Sequence, residues 1–352
     1  MIGKKETKGP ASHPRENKRF SIRAAAISAV LILVAGSCFL VSCWQGEPPE
    51  IKEKIRLGAS KAFMSIPVFV AKKKGYFAKE GLDVEVKEYG SGKMATQALF
   101  AGEVDISTVA DVPVVFNSFK RDDFRVFATF THSYSLVRII ARKDCGIRTG
   151  ADMKGKKVGA NRGTSSHYYL GAFLIHSRLS FSEVEIIDIK TPDMADALKN
   201  NKVDAISVWQ PYSQKAMKLL GDNAIELPGG NIFRATFNFA AMKSFAKEHP
   251  KTLKRFLGAI DRAGTFIKKN REEAQDIIAE VFKLDKDTVS AAWDDFTFEL
   301  SLDQALLVSW DDIARWAIQN RFVDGKTLPN YFKLIDTNAM DAVQPEAITI
   351  IR

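Results

Sequence analysis

From Lys54 onward the apolar positions fall into short runs that switch between strand spacing and helix spacing. "KIRLGAS", "LDVEVKEY" and "VDISTVA" read as strands, while "IPVFVAKKKGYF", "MATQALFAG" and "VPVVFNSF" read as helices between and after them. A second series opens at "KKVGANRG" (strand and loop) and runs through "HYYLGAFLIHSRL" (helix), "VEIIDI" (strand), "MADALKNN" (helix) and "DAISVW" (strand). Short strands alternating with helices imply βαβ units and a mostly parallel sheet, so the pattern predicts an α/β fold wound as two similar sheets. An internal echo agrees: "ALFAGEVDISTV" (Ala98 to Val109) and "ALKNNKVDAISV" (Ala197 to Val208) share Ala-Leu, Val-Asp and a closing Val at an offset of 99 residues. After Met242 the periods lengthen into helices such as Pro250 to Asn270 and Asp303 to Asn320. Trp293, Trp310 and Trp316 fall there at helical spacing and are expected in the core, bracing one lobe.

The amino terminus follows a different rule. Lys18, Arg19 and Arg23 precede the uncharged stretch Ala24 to Val41, a positive region followed by an apolar one, as in an export signal. "LVSC", Leu40 to Cys43, has the pattern at which a cysteine is acylated and the peptide cut before it; an uncleaved anchor helix is the alternative. Either way the body of the chain is expected outside the cytoplasm. Residues 1–42 form the signal on this reading, and the Pro-rich, charged residues 43–54 form a tether. A processed chain retains Cys43 and Cys145, and Cys145 is then an inert thiol.

Charge sharpens the picture by exclusion. Of the formal charge of +9, residues 1–42 account for +5, with seven Lys/Arg against two Asp/Glu. The remaining +4 shows no clustering of the kind that counterion release on nucleic acid requires, so no nucleic-acid partner is expected. No Cys-x-x-Cys or His-Glu-x-x-His spacing occurs, so no metal is expected, and no cofactor motif stands out. "YGSGKMA" (Tyr89 to Ala95) is near a phosphate loop, but Lys87 stands where the first glycine belongs and Met94 where the magnesium-binding Ser/Thr belongs. "GTSSH" departs from a nucleophile elbow because His167 replaces its second glycine.

What remains in "NRGTSSHYYL" (Asn161 to Leu170) is an anion grip. Gly163 allows close backbone approach, and Thr164, Ser165 and Ser166 bring hydroxyls to a helix start whose first amides have no intrahelical acceptor. Simple N-capping explains one Ser or Thr; three in a row after a glycine exceed what a cap needs. "GSGK" (Gly90 to Lys93) is the matching turn of the first series, and two such turns could face one cleft.

The runs Ile66 to Val86, Ala98 to Ser107, Met153 to Leu170 and Val203 to Tyr212 together resemble the solute-binding proteins of ABC importers for nitrate, sulfonates, taurine and thiamine precursors. The resemblance implies a type II periplasmic-binding-protein fold, with two lobes joined by two crossing strands and closing on the solute by hinge motion. Residues 55–131 and 238–352 would form lobe 1 with its C-terminal helices, and residues 132–237 lobe 2. It further implies ligand contacts from Ser60, Phe63, Gly92, Lys93, Thr108 and Asp111 in the first lobe. The second would supply Gly163, Thr164, Ser165, Ser166, Trp209, Gln210 and Tyr212. Family members often carry an acid in place of Gln210. The chain is then a monomeric, lipid-anchored binding protein rather than an enzyme, taking a small anionic or zwitterionic solute such as an organosulfonate to membrane permease subunits. Asp111 would receive the ammonium of a taurine-like zwitterion. The runner-up functions are a binding protein for a thiamine-precursor pyrimidine and a pyrimidine-synthase-like enzyme on the same fold.

Overall fold

The computed structural model describes residues 53–351; the signal region, Cys43 and the tether as far as residue 52 lie outside the described residues, while Glu53 and Lys54, expected in the tether, open the first strand by pairing with Leu82 and Asp83. Two five-stranded sheets form the frame. The first has the order β2-β1-β3-β10-β4, from Glu53–Ser60 (β1), Leu82–Tyr89 (β2), Ile106–Ala110 (β3), Phe124–Ser133 (β4) and Ala235–Met242 (β10). The second has the order β7-β6-β8-β5-β9, from Val137–Arg142 (β5), Lys157–Ala160 (β6), Glu185–Asp188 (β7), Ala205–Trp209 (β8) and Ala224–Leu227 (β9).

Each sheet has the same plan. Central β3 pairs parallel with β1 and antiparallel with β10; central β8 pairs parallel with β6 and antiparallel with β5. The echo in the sequence explains how each central strand is seated. The helices Gly92–Phe100 and Met194–Lys199 both stop at a residue of positive φ, Gly102 (73°) and Asn201 (61°), the two residue types that reach this region most readily. The next amide then returns to the helix in both copies, Glu103 N to Ala98 O at 2.9 Å and Lys202 N to Ala197 O at 3.0 Å. The shared aspartates finish the device. Asp105 and Arg56 exchange backbone N–H bonds, to Arg56 O and to Asp105 Oδ2, both at 2.8 Å; Asp204 and Lys157 do the same at the same distances.

The chain passes between sheets twice, at residues 134–136 and 228–234. These passages lie a few residues inside the expected second lobe, because β4 and β10 stay paired as far as Ser133 and Ala235. The helices Pro250–Lys269, Arg271–Phe282 and Gln304–Gln319 brace the first sheet, and bridges from Thr297, Ser301 and Ile335 reach its β4 edge. Trp293, Trp310 and Trp316 are buried as their spacing predicts. Among the described residues no helix is long and apolar enough to cross a membrane, and no cluster of His, Cys, Asp or Glu could hold a metal.

Candidate functional site

The helix Gly92–Phe100 follows β2 and the helix Ser165–His176 follows β6, and both point their N-termini into one cleft between the sheets. Ser60, Ala62, Met64, Ser91, Gly92, Lys93, Ala110 and Pro113 line it from the first sheet's side. Thr164, Ser165 and Trp209 line it from the second, with Leu136 and Phe237 near the passages. The space left is about 30 Å³, room for roughly two water molecules. The two halves are drawn together.

On the second side, Thr164 is the N-cap, yet its side chain does not cap: its Oγ donates to Asn161 O at 2.6 Å. Ser166 Oγ accepts from Asn161 N–H at 3.2 Å and donates to Ser207 O at 2.6 Å, and Ser207 Oγ donates back to Ser166 O at 2.8 Å. That exchange welds the helix to β8. Ser165 is left with a buried hydroxyl that has no protein partner, beside first-turn amides that lack an intrahelical acceptor. Gly163 adopts φ 71°, the left-handed conformation that turns the chain into this helix.

On the first side, Ser91 caps its helix by accepting from Met94 N–H at 3.3 Å. A Cβ on Gly92 would lie 3.1 Å from the Phe237 ring and 3.3 Å from Ala110 N, so glycine lets this turn press against β10 and β3. Lys93 is the only charged residue of the lining. Its ammonium spans the cleft and donates to Arg162 O at 2.8 Å. Thr108 Oγ holds the next turn by accepting from Ser60 N–H at 3.0 Å. Thr108 and Ser207 are equivalent under the 99-residue offset, so in both copies a hydroxyl on the central strand holds the backbone at the cleft, Thr108 Oγ by accepting from Ser60 N–H and Ser207 Oγ by donating to Ser166 O.

Of the residues singled out in the sequence, Ser60, Gly92, Lys93, Thr164, Ser165 and Trp209 therefore line the cleft, and Trp209 adds a buried, unpartnered indole N–H. Gly163, Thr108 and Ser166 stand directly behind it. The others are placed elsewhere. Phe63 is core, stacked on Phe282 at 5.8 Å and edge-on to Phe296 at 5.9 Å, while its neighbours Ala62 and Met64 face the cleft. Gln210 donates from Nε2 to Asp295 at 2.9 Å, and Tyr212 opens the helix Tyr212–Leu220 outside the lining. Asp111 is fully buried and spoken for: it accepts from Thr236 N–H at 2.6 Å, from the Thr236 hydroxyl and from Trp310 Nε1 at 2.9 Å. Burial pushes its carboxyl pKa up, against these donors. No carboxylate faces the cleft, so the expected seat for an ammonium is absent from its lining.

Sequence reasoning missed Ala62, Met64, Ala110, Pro113, Leu136 and Phe237, whose types do not distinguish cleft wall from core. Ser91 was within reach, as the cap before Gly92. Cys145 is a free, half-buried thiol whose pKa burial pushes up, in keeping with an inert role.

The NMT1/THI5-like family model matches residues 62–274. A Bacillus subtilis (strain 168) protein named as an aliphatic sulfonates-binding protein is 30% identical over 269 residues, covering 74% of this chain and 80% of its own. The taurine-binding periplasmic protein of Escherichia coli (strain K12) is 27% identical over 207 residues, covering 57% of this chain and 63% of its own. Among solved structures, the alkanesulfonate-binding protein of Xanthomonas axonopodis pv. citri bound to MOPS superposes with a TM-score of 0.71 at 20% identity, over 83% of this chain and 99% of its own. The fold is that of the two-lobed periplasmic binding proteins.

Proposed function

We propose that this chain, which belongs to the NMT1/THI5-like family, is an extracytoplasmic solute-binding protein that delivers a small organic monoanion, foremost an aliphatic sulfonate, to an ABC-type importer. The observation that carries this reading is the make-up of the cleft. Two helix N-termini, the free Ser165 hydroxyl and the single cation Lys93 meet walls that are otherwise largely apolar, including Met64, Leu136, Trp209 and Phe237. Amides, a hydroxyl and an ammonium suit the oxygens of a sulfonate head, and the walls suit an aliphatic body. The names of the relatives in Bacillus subtilis and Escherichia coli support the same class, and they are the names of binding proteins rather than enzymes. A zwitterion such as taurine fits less well, because Asp111 is engaged by Thr236 and Trp310 outside the lining and no carboxylate faces the cleft.

A void of about 30 Å³ is too small for such a solute. Loading therefore requires the lobes to part about the passages at residues 134–136 and 228–234. Cys43, in the sequence "LVSC", would carry the lipid that holds the protein at the outer face of the membrane beside its permease. Mass spectrometry of the membrane fraction tests this: an acylated peptide beginning at Cys43 is expected, and an intact chain beginning at Met1 would refute it.

The solute class is tested by a thermal-shift screen of propanesulfonate, taurine, nitrate, propionate and an aminopyrimidine. Propanesulfonate should raise the melting temperature most and taurine less. If only neutral or cationic compounds raise it, the anion reading of the cleft is wrong.

A further inference from the structure

The turn that presents Ser165 is held from behind by a histidine. Gly163 N–H donates to His167 Nδ1 at 3.4 Å, so the imidazole closes the loop from which the helix Ser165–His176 starts. The ring is walled by Phe322, Trp316 and Phe181, with centroids at 4.5, 5.0 and 5.7 Å. Trp316 belongs to the helix Gln304–Gln319, which also places Trp310 on Asp111 and so is fixed to the first lobe. It lands on the second-lobe helix where that helix lacks a side chain: a Cβ on Gly171 would lie 2.6 Å from Trp316 Nε1 and 2.4 Å from the Phe181 ring. Trp316 and Phe322 stand beyond residue 274, where the family model ends.

We propose that His167 is a positioning residue for the anion turn, and that Trp316, seated at Gly171, is a latch through which lobe closure reaches that turn. When the lobes part, Trp316 and Phe322 leave with the first lobe and His167 loses two of its walls. The imidazole can then rotate and release the Gly163 amide, so the turn carrying Ser165 is fully set only when the lobes are together. By linkage, a solute gripped at Ser165 favours the latched state to the same degree that the latch favours the solute. The coupling to solute rests on reading the cleft as an anion site; the hydrogen bond and the latch do not.

The test is made on the full chain with amide exchange of Gly163 in the absence of solute and with propanesulfonate titrations at neutral pH. His167→Phe keeps an aromatic ring and removes the acceptor; His167→Asn keeps an acceptor near the Nδ1 position and removes the ring. In the wild-type protein the Gly163 amide should be protected, and the ¹⁵N spectrum of His167 should show a bare Nδ1 and a protonated Nε2. In His167→Phe, Gly163 should exchange roughly tenfold faster and propanesulfonate affinity should fall roughly tenfold, the loss expected for one hydrogen bond that orders the site. His167→Asn, measured below its own melting temperature, should recover most of that affinity. Trp316→Leu should speed Gly163 exchange in the same direction. Unchanged Gly163 exchange in His167→Phe, or equal affinities of the Phe and Asn variants, would overturn the positioning role. Unchanged exchange in Trp316→Leu would overturn the latch. If the wild type binds no anion while Gly163 protection still depends on His167 and Trp316, the solute reading fails and the positioning device stands.

Discussion

The Lys93 ammonium lies 2.8 Å from the carbonyl oxygen of Arg162, so the one cation in the cleft lining of the first lobe is hydrogen-bonded to the second. A bound sulfonate adds a stronger acceptor at the same place. Lys93→Met should lower affinity by about 2 kcal/mol, roughly thirtyfold. It should also flatten the dependence of affinity on ionic strength. Calorimetric titration at two salt concentrations checks both; an affinity that keeps its full salt dependence would show that Lys93 is not the charge the solute meets.

Two adjacent serines should fail in opposite ways. Ser165→Ala removes a hydroxyl with no protein partner, so stability should hold while affinity drops roughly tenfold. Ser166→Ala removes the donor to Ser207 O and the acceptor of the Asn161 amide, and should cost about 1–3 kcal/mol in a denaturant melt. Paired melts and titrations of the two variants check the contrast.

Asp111 is expected to act on stability rather than on solute choice. Asp111→Ala leaves the Thr236 amide and the Trp310 indole N–H buried without an acceptor, at a cost of about 3 kcal/mol or more. The preference for propanesulfonate over taurine should be unchanged in whatever fraction stays folded. A variant that loses this preference would place the carboxylate in contact with solute after all.

Burial, and after it the nearby charge of Arg162, depress the His167 pKa to about 4. In an unfolded chain an imidazole titrates near 6.5. Between those values the unfolded chain binds the extra proton, so the His167 contribution is complete above pH 6.5 and is lost as pH falls toward 4. Its full size is about 3 kcal/mol. Denaturant melts from pH 7 to pH 4 should show this slope, and His167→Phe should remove it.

Much of the frame was legible because amphipathic spacing is local. The run "LDVEVKEY" and strand β2 coincide, Leu82 to Tyr89. Both cleft helices begin two residues before the apolar spacing suggests, at Gly92 and Ser165 rather than Met94 and His167, because a first turn needs donors facing outward rather than an apolar stripe. Strands β5 and β10 carry almost no exposed position to mark an alternation, so spacing alone predicts neither. In the site, the hydroxyl-rich turns stood out by their chemistry. Phe63 and Asp111 could not be sorted from solute contacts, since what occupies Asp111 stands 125 and 199 residues away along the chain.

The strand order sets a calendar for synthesis. All five strands of the second sheet come from one unbroken stretch, Val137 to Leu227, while β10 belongs between β3 and β4, near the middle of the first. A nascent chain that has reached Arg234 thus holds every strand of the second sheet and a first sheet parted beside its central strand. The portion translated in the middle can be finished while the portion translated first still waits, with β3 and β4 exposing edges to any passing strand.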